Sequence, residues 1–235
     1  MKKKIVLIGL FILPIVTYLI FASAKHNSLF LPTLSKSNNE LPSNWKSLDG
    51  NEKVHLKNKI TVLGFLGKNV ELSKGNLFNL NQKIYKKYFG FNDFQLVMVV
   101  SEGQEEAVKN VIMELKPITE DMSGWKFVFA PETEISPYFD TFKLIGGLDE
   151  KLCTPSVLIL DKEINHRGRK GKDLKGEEDY RDSYNTISAA ELHNEMTDDM
   201  KIILREYRLA LKKNKRKDAF RDKITRNVEE QVKDK

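Results

Sequence analysis

Short apolar runs constrain this chain most: Ile60–Leu66 (ITVLGFL), Phe94–Val100 (FQLVMVV) and Val157–Leu160 (VLIL) are nearly unbroken. Strands of that kind are covered on both faces, so the sheet they build needs helices on each side. Trp125–Phe129 (WKFVF) supplies a further strand. Between these runs lie helical stripes. Leu77, Leu80, Ile84 and Tyr88 are spaced by three or four behind Ser73, a candidate N-cap, and Ala107, Val108, Val111, Ile112 and Leu115 form a second stripe. Residues 131–142 read as a short helix opened by Pro131, where a missing N–H is tolerated. Asp161-Lys162-Glu163 turns the last apolar run into a partly polar strand ending near Arg167, a hairpin, and a long polar loop follows. Ser188 and Glu191 then form a capping box, with Ile187 and Leu192 at the staple positions. That helix carries Leu192, Met196, Met200, Ile203, Leu204, Tyr207 and Leu211 on one face. The order strand, helix, strand, helix, strand, helix, strand, strand, helix predicts an α/β domain, a central sheet with flanking helices.

Ahead of this domain, residues 5–24 run IVLIGLFILPIVTYLIFASA without a charge. As a helix, about 20 residues at ~1.5 Å each match the ~30 Å hydrocarbon layer, and Pro14 is tolerated there. Lys2, Lys3 and Lys4 precede the run and only Lys25 follows closely, which predicts an N-terminus in the cytoplasm and a domain on the extracytoplasmic, periplasmic side of the inner membrane. Ala22-Ser23-Ala24 has the spacing of a signal cleavage site, so release into the periplasm after Ala24 is the alternative. The expected organisation is therefore a transmembrane anchor or signal peptide at 1–24, a tether at 25–48 rich in Ser, Asn and Lys with Pro32 and Pro42, the α/β domain at 49–213, and a charged extension at 214–235. Phe220, Ile224 and Val228, four apart in that extension, are spaced for a weak amphipathic helix.

The net charge of +6 is concentrated at the ends: residues 1–30 carry +4 and residues 212–235 carry +5, which leaves −3 on the body. A slightly acidic body excludes nucleic acid as the expected partner, because phosphates require a basic face on the folded domain. Cys153 is the only cysteine, so no intramolecular disulfide can form.

Thr154-Pro155-Ser156-Val157-Leu158-Ile159-Leu160-Asp161-Lys162-Glu163 resembles the thioredoxin superfamily segment in which a proline, usually cis, precedes the strand entering the terminal hairpin. Together with the membrane anchor and Trp125–Phe129, it makes the chain most similar to the Sco/SenC branch over residues 45–213. The resemblance implies a membrane-anchored, thioredoxin-like protein associated with copper delivery to cytochrome oxidase. It implies a CxxxC pair where the first central strand enters its helix and a histidine shortly before the hairpin, soft ligands that suit copper(I) or disulfide exchange. Here Gly64–Ser73 (GFLGKNVELS) holds no cysteine and residues 145–154 hold no histidine. The expectation is a scaffold that binds no copper or other cofactor and acts as a non-catalytic binding or assembly factor for respiratory or envelope proteins. The alternative is a thiol-dependent oxidoreductase using Cys153 with a partner's cysteine.

Individual residues sharpen this expectation. Cys153, Thr154 and Pro155 mark the cleft of the resembled fold, where a helix N-terminus can lower a thiol pKa; a small packing residue is the plainer role. His166, Arg167, Arg169, Lys170, Lys172 and Lys175, interleaved with Gly168, Gly171 and Gly176, read as a basic flexible loop. Of these, Arg167, Arg169, Lys170 and Lys172 are candidates to meet an acidic partner or lipid headgroups, against a solvated hairpin extension. Gly64-Phe65-Leu66-Gly67-Lys68 is too short for a phosphate loop, and Asn69 replaces its Ser/Thr. Glu191, His193 and Glu195, two apart on a helix, point to different sides, and His26 and His55 lack companions at ligand spacing. The expected partners are thus the membrane, through the N-terminal helix, and an unidentified protein.

Overall fold

The computed structural model describes residues 10–18, 30–36, 38–48, 50, 53–172 and 176–209. It divides into two compact units, 1–30 and 31–235. In the first, residues 10–18 are helical, and the rest of the proposed span lies outside the described residues. Among the described residues no helix is long and apolar enough to cross a membrane.

The second unit contains strands β1 (Thr33–Ser35), β2 (Lys46–Ser47), β3 (Ile60–Gly67), β4 (Phe94–Ser101), β5 (Trp125–Ala130), β6 (Ser156–Leu160), β7 (His166–Arg167), β8 (Arg169–Lys172), β9 (Glu178–Arg181) and β10 (Tyr184–Asn185). Helix α1 runs through Lys74–Leu80, a π-helical Asn81–Tyr85 and Lys86–Tyr88. Helices α2 (Glu105–Leu115) and α3 (Glu132–Asp140) follow. Helix α4 starts at Ala189–Glu191, continues through a π-helical Leu192–Met196 and stays helical over 197–209. The main sheet has the order β1-β7-β6-β3-β4-β5-β2, with β10 also paired to β6. β3, β4 and β5 are parallel, and β6 runs antiparallel to β3.

All eight residues of β3 and all eight of β4 are buried, which is the double-sided covering expected of these runs. Alternation decides which side each residue serves. Val62, Leu66, Leu96, Met98, Val100, Phe127 and Ile159 pack with α1, α2 and α4 through Leu77, Leu80, Ile84, Val108, Val111, Leu192 and Met200. Leu63, Phe65, Val97, Val99, Val128 and Leu158 pack with α3 through Ile135, Tyr138 and Phe139. Several buried polar groups on the sheet and on α1 are paired: the Gln95 amide donates to Thr61 Oγ1 at 2.9 Å, and Asn81 donates to Thr119 Oγ1 at 2.8 Å, whereas the Ser101 hydroxyl of β4 is buried with no hydrogen-bond partner among the described residues.

Three expectations change. The tether at 25–48 does not extend through the described residues 31–48. β1 pairs antiparallel with β7 and β2 with β5, so this segment closes both edges of the sheet. Its composition misleads because an edge strand bonds on one side only and tolerates proline. Leu31, Leu41 and Trp45 are buried, and the Trp45 indole donates to Glu134 at 2.7 Å. The Ser73 hydroxyl makes no cap bond, because its φ of −82° and ψ of 0° already belong to the helix, whereas an N-cap side chain acts from extended backbone. Ser188 does cap, accepting from the Glu191 amide at 3.2 Å, but Ile187 is 61% exposed and forms no staple. The Thr186 amide and hydroxyl both donate to the Pro155 carbonyl, holding the chain so that Ile187 faces solvent.

Arg167 joins the ends of this unit. Its guanidinium meets Asp161 at 3.1 Å and Glu206 at 2.7 Å and donates to the Leu31 carbonyl, while Glu206 also accepts the Leu31 amide at 2.8 Å. With 7% of the residue exposed, its removal strands two carboxylates away from water. Arg167→Met should lower the unfolding free energy by about 3 kcal/mol in urea denaturation. An unchanged midpoint would show that the pairs are dispensable.

Candidate functional site

The loop leaving β3 meets the loop entering β6 at the carboxyl end of the parallel strands, where α/β sheets expose their clefts. Gly67 stands at φ +49°, and a Cβ there would lie 2.1 Å from the Lys151 carbonyl oxygen and 2.5 Å from that of Leu152. Only glycine fits so close a backbone approach. The Lys68 amide closes the contact by donating to the Lys151 carbonyl at 2.9 Å. Leu152 itself sits at φ +61°, a conformation that costs a non-glycine residue roughly 1–3 kcal/mol. Asp149 over-determines this turn: its carboxylate accepts the Lys151 amide at 2.9 Å and the Cys153 amide at 2.8 Å.

Cys153 is thereby pressed onto the start of α1. Its Sγ lies 3.6 Å from Ser73 Oγ, and only 7% of the residue is exposed. Asn69, four residues before Ser73, also hydrogen-bonds the thiol. Two neutral polar side chains, Ser73 and Asn69, thus seal the sulfur. Burial pushes the Cys153 thiol pKa up, the Asp149 charge adds to the rise, and the bonds from Ser73 and Asn69 oppose it. The lowered pKa that a helix N-terminus can give does not arise, because desolvation of the thiolate outweighs it. Thr154 is buried, with its amide donating to the Phe65 carbonyl at 3.0 Å, and Pro155 is exposed. The Thr154–Pro155 bond is trans, unlike the usual cis form in the resembled segment.

On the segments that lead to and from this closed thiol, three aliphatic side chains stand in solvent among the exposed charges of Lys68, Glu71 and Lys151. Leu72, beside Ser73, is 75% exposed. Ile187, next to the residue that bonds Pro155, is 61% exposed, and its carbonyl accepts from Asn79 of α1. Ile145 is 80% exposed on the segment before Asp149, its amide held by Asp182 at 2.7 Å. Each residue alone is unremarkable to a sequence reader, since nothing in its spacing signals exposure.

The basic stretch is divided by the fold. β8 and β9 form a two-stranded hairpin, so the stretch is ordered where it is described; residues 173–175 lie outside the described residues. Arg167 is buried as above. Arg169 reaches Asp199 at 2.8 Å, and Tyr184 donates to the same carboxylate at 2.6 Å. Lys170 and Lys172 remain exposed on β8. Arg181 pairs with Glu191 at 2.7 Å and with Glu195, so these two acids converge on an arginine while His193 turns toward Lys87. His166 is buried, with Nε2 against the Asp182 carbonyl at 2.6 Å, and burial lowers its pKa.

No protein-family model and no curated protein matches the sequence. Solved structures do. The chain is similar to BsSco, a member of the Sco family of cytochrome c oxidase assembly proteins in which a disulfide switch was identified, at 14% identity over 74% of this chain and 98% of that one, with a TM-score of 0.52. It is also similar to a SCO1/SenC family lipoprotein from Bacillus anthracis str. Ames, at 18% identity over 75% of this chain and 99% of that one, with a TM-score of 0.53. The fold is thioredoxin-like. What the likeness carries is the scaffold, a central sheet with flanking helices; the side chains at the cleft are this chain's own.

Two measurements probe the cleft. Gly67→Ala should destabilise the domain by about 1–3 kcal/mol from backbone strain alone, read as a lower urea midpoint. Because the folded thiol pKa lies above its ordinary value of 9.0, the native state holds its proton longer than the unfolded chain. The stability this contributes is complete below pH 9.0 and is lost as pH rises further, so the wild-type midpoint should fall above pH 9.0 more steeply than that of Cys153→Ala. Parallel profiles would refute the sealed thiol.

Proposed function

We propose that the chain is a membrane-tethered, extracytoplasmic thioredoxin-like domain that captures a protein partner at the Cys153 end of its sheet and performs no thiol or copper chemistry of its own. The observation that carries this reading is the contrast at that end. The sulfur is sealed by Ser73 and Asn69, while Leu72, Ile145 and Ile187, on the segments that lead to and from that end, stand in solvent. Exposed aliphatic side chains on the loops of a rigid scaffold favour protein contact, because that contact removes apolar surface from water. A strained turn at Leu152, fixed by Asp149 and Gly67, keeps those loops in one arrangement and lowers the ordering cost of binding.

The tether follows from the uncharged run at 5–24 and the lysines before it. The class of partner follows from the neighbour's description as an oxidase assembly protein. On this reading the domain holds or positions an envelope protein, a subunit of a respiratory oxidase in the first instance, during its assembly. The membrane is the second partner, through the N-terminal helix. An oxidoreductase working through Cys153 would need a thiolate, which burial disfavours.

Photo-crosslinking in cells from positions 72 and 187 tests the proposal. Cys153→Ala should leave the crosslinked partner at wild-type yield. Leu72→Asp and Ile187→Asp, both at exposed positions and so harmless to folding, should reduce capture several-fold. Loss of capture in Cys153→Ala with wild-type yield in both aspartate variants would replace docking by thiol chemistry.

A further inference from the structure

The opposite end of the sheet carries a second, chemically different feature. Where β3, β4 and β5 begin, a cavity of about 520 Å³ opens between the segment preceding β3, the α1–β4 turn and the turn before β5. That volume is within the range of small-molecule sites, roughly 300–1,000 Å³. Its rim is basic: Lys53, Lys57 and Lys59 come from seven consecutive residues. Among the described residues Lys53, Lys57 and Lys59 pair with no carboxylate; the Lys59 ammonium donates to the Asn92 carbonyl at 2.7 Å, which aims it along the wall. Among the described residues Asp121 is the one carboxylate lining the cavity, and it is engaged by the amide and hydroxyl of Ser123. Asp93, nearby, is taken by Lys162.

The rest of the wall is aromatic. Phe89 and Phe91 are half-buried and Phe94 is buried, with the Phe91 ring further held under the Arg208 guanidinium, 5.7 Å from its centroid. A domain whose body carries −3 thus concentrates like charge at one concave place beside rings, at a cost in repulsion that a bound anion relieves. Lysine ammonium groups are compact point charges with several donors each, suited to phosphate oxygens. Flat apolar groups stack against phenyl faces.

We propose that this cavity at the amino ends of the strands binds a small phosphate-bearing ligand with a flat apolar group, its phosphate among Lys53, Lys57 and Lys59 and its ring against Phe89 and Phe91. The site lies away from the Cys153 end and does not depend on the partner-docking reading. Such a ligand leaves that end uncovered, so both can be occupied together.

Isothermal titration of the full-length chain in non-ionic detergent tests this with three probes: phenyl phosphate, inorganic phosphate and benzyl alcohol. Phenyl phosphate should bind saturably at one site, more tightly than inorganic phosphate, and benzyl alcohol should give no saturable heat. Lys53→Glu/Lys57→Glu, altering two exposed side chains, should keep the wild-type unfolding midpoint and weaken phenyl phosphate about tenfold or more. Lys151→Glu/Lys170→Glu, an equal charge change elsewhere on the exposed surface, should leave affinity unchanged. Absent saturable binding, an undiminished affinity in the first variant, equal weakening in the second, or inorganic phosphate binding as tightly as phenyl phosphate would each overturn the proposal.

Discussion

Burial of the central strands on both faces is the constraint on which the rest of the structure depends. β3 and β4 expose no residue, so each face must be dry, and the chain meets this with α1, α2 and α4 on one side and α3 on the other. A sheet covered on its faces still has two edges, and here β1 and β2 from the N-terminal segment close them. Only the two ends of the strands remain for recognition. One end holds the sealed thiol, and the other a lysine-rimmed cavity with an aromatic wall.

Ion pairs then fix how the last helix lies on this frame. Arg167, Arg169 and Arg181 follow one another along the segment after β6, and each reaches a carboxylate of α4: Glu206, Asp199, and Glu191 with Glu195. Apolar contact alone would bring Leu192, Met196, Met200 and Ile203 onto the sheet without specifying their register. Partly buried charge pairs specify it, because each mismatch leaves a charge without compensation. The arginines of the basic stretch are consumed inside the domain, and of the exposed lysines on β8, Lys172 faces Glu178 and Lys170 faces Tyr180 in register. Charge that looks available for a partner in the linear sequence is largely used by the fold.

The cleft depends in the same way on contacts made by folding. A helix N-terminus beside a thiol is an activating arrangement when water and cations reach the sulfur. Here the strained turn at Leu152 and the close approach at Gly67 press Cys153 into a dry position, and two neutral side chains complete its surroundings. The fold is similar to that of the Sco structures, and the side chains around Cys153 seal its sulfur.

The main strands, the three crossover helices, the hairpin after Leu160 and the Ser188 cap were legible in the sequence, since apolar period and capping chemistry act over a few neighbouring residues. Cys153 facing the start of α1 was legible only through the resemblance. The edge strands at 33–35 and 46–47, the exposure of Ile187 and the burial of Arg167 were not, because each is settled by a partner far along the chain: β7, β5, Pro155 and Glu206. The cavity of Lys53, Lys57 and Lys59 belongs to the same class, its aromatic wall arriving from residues 89–94. By itself the sequence determined which segments must be buried and in what period. Tertiary structure alone decided which charges, rings and sulfur atoms meet, because a side chain's solvation and pairing depend on neighbours that folding brings from distant positions.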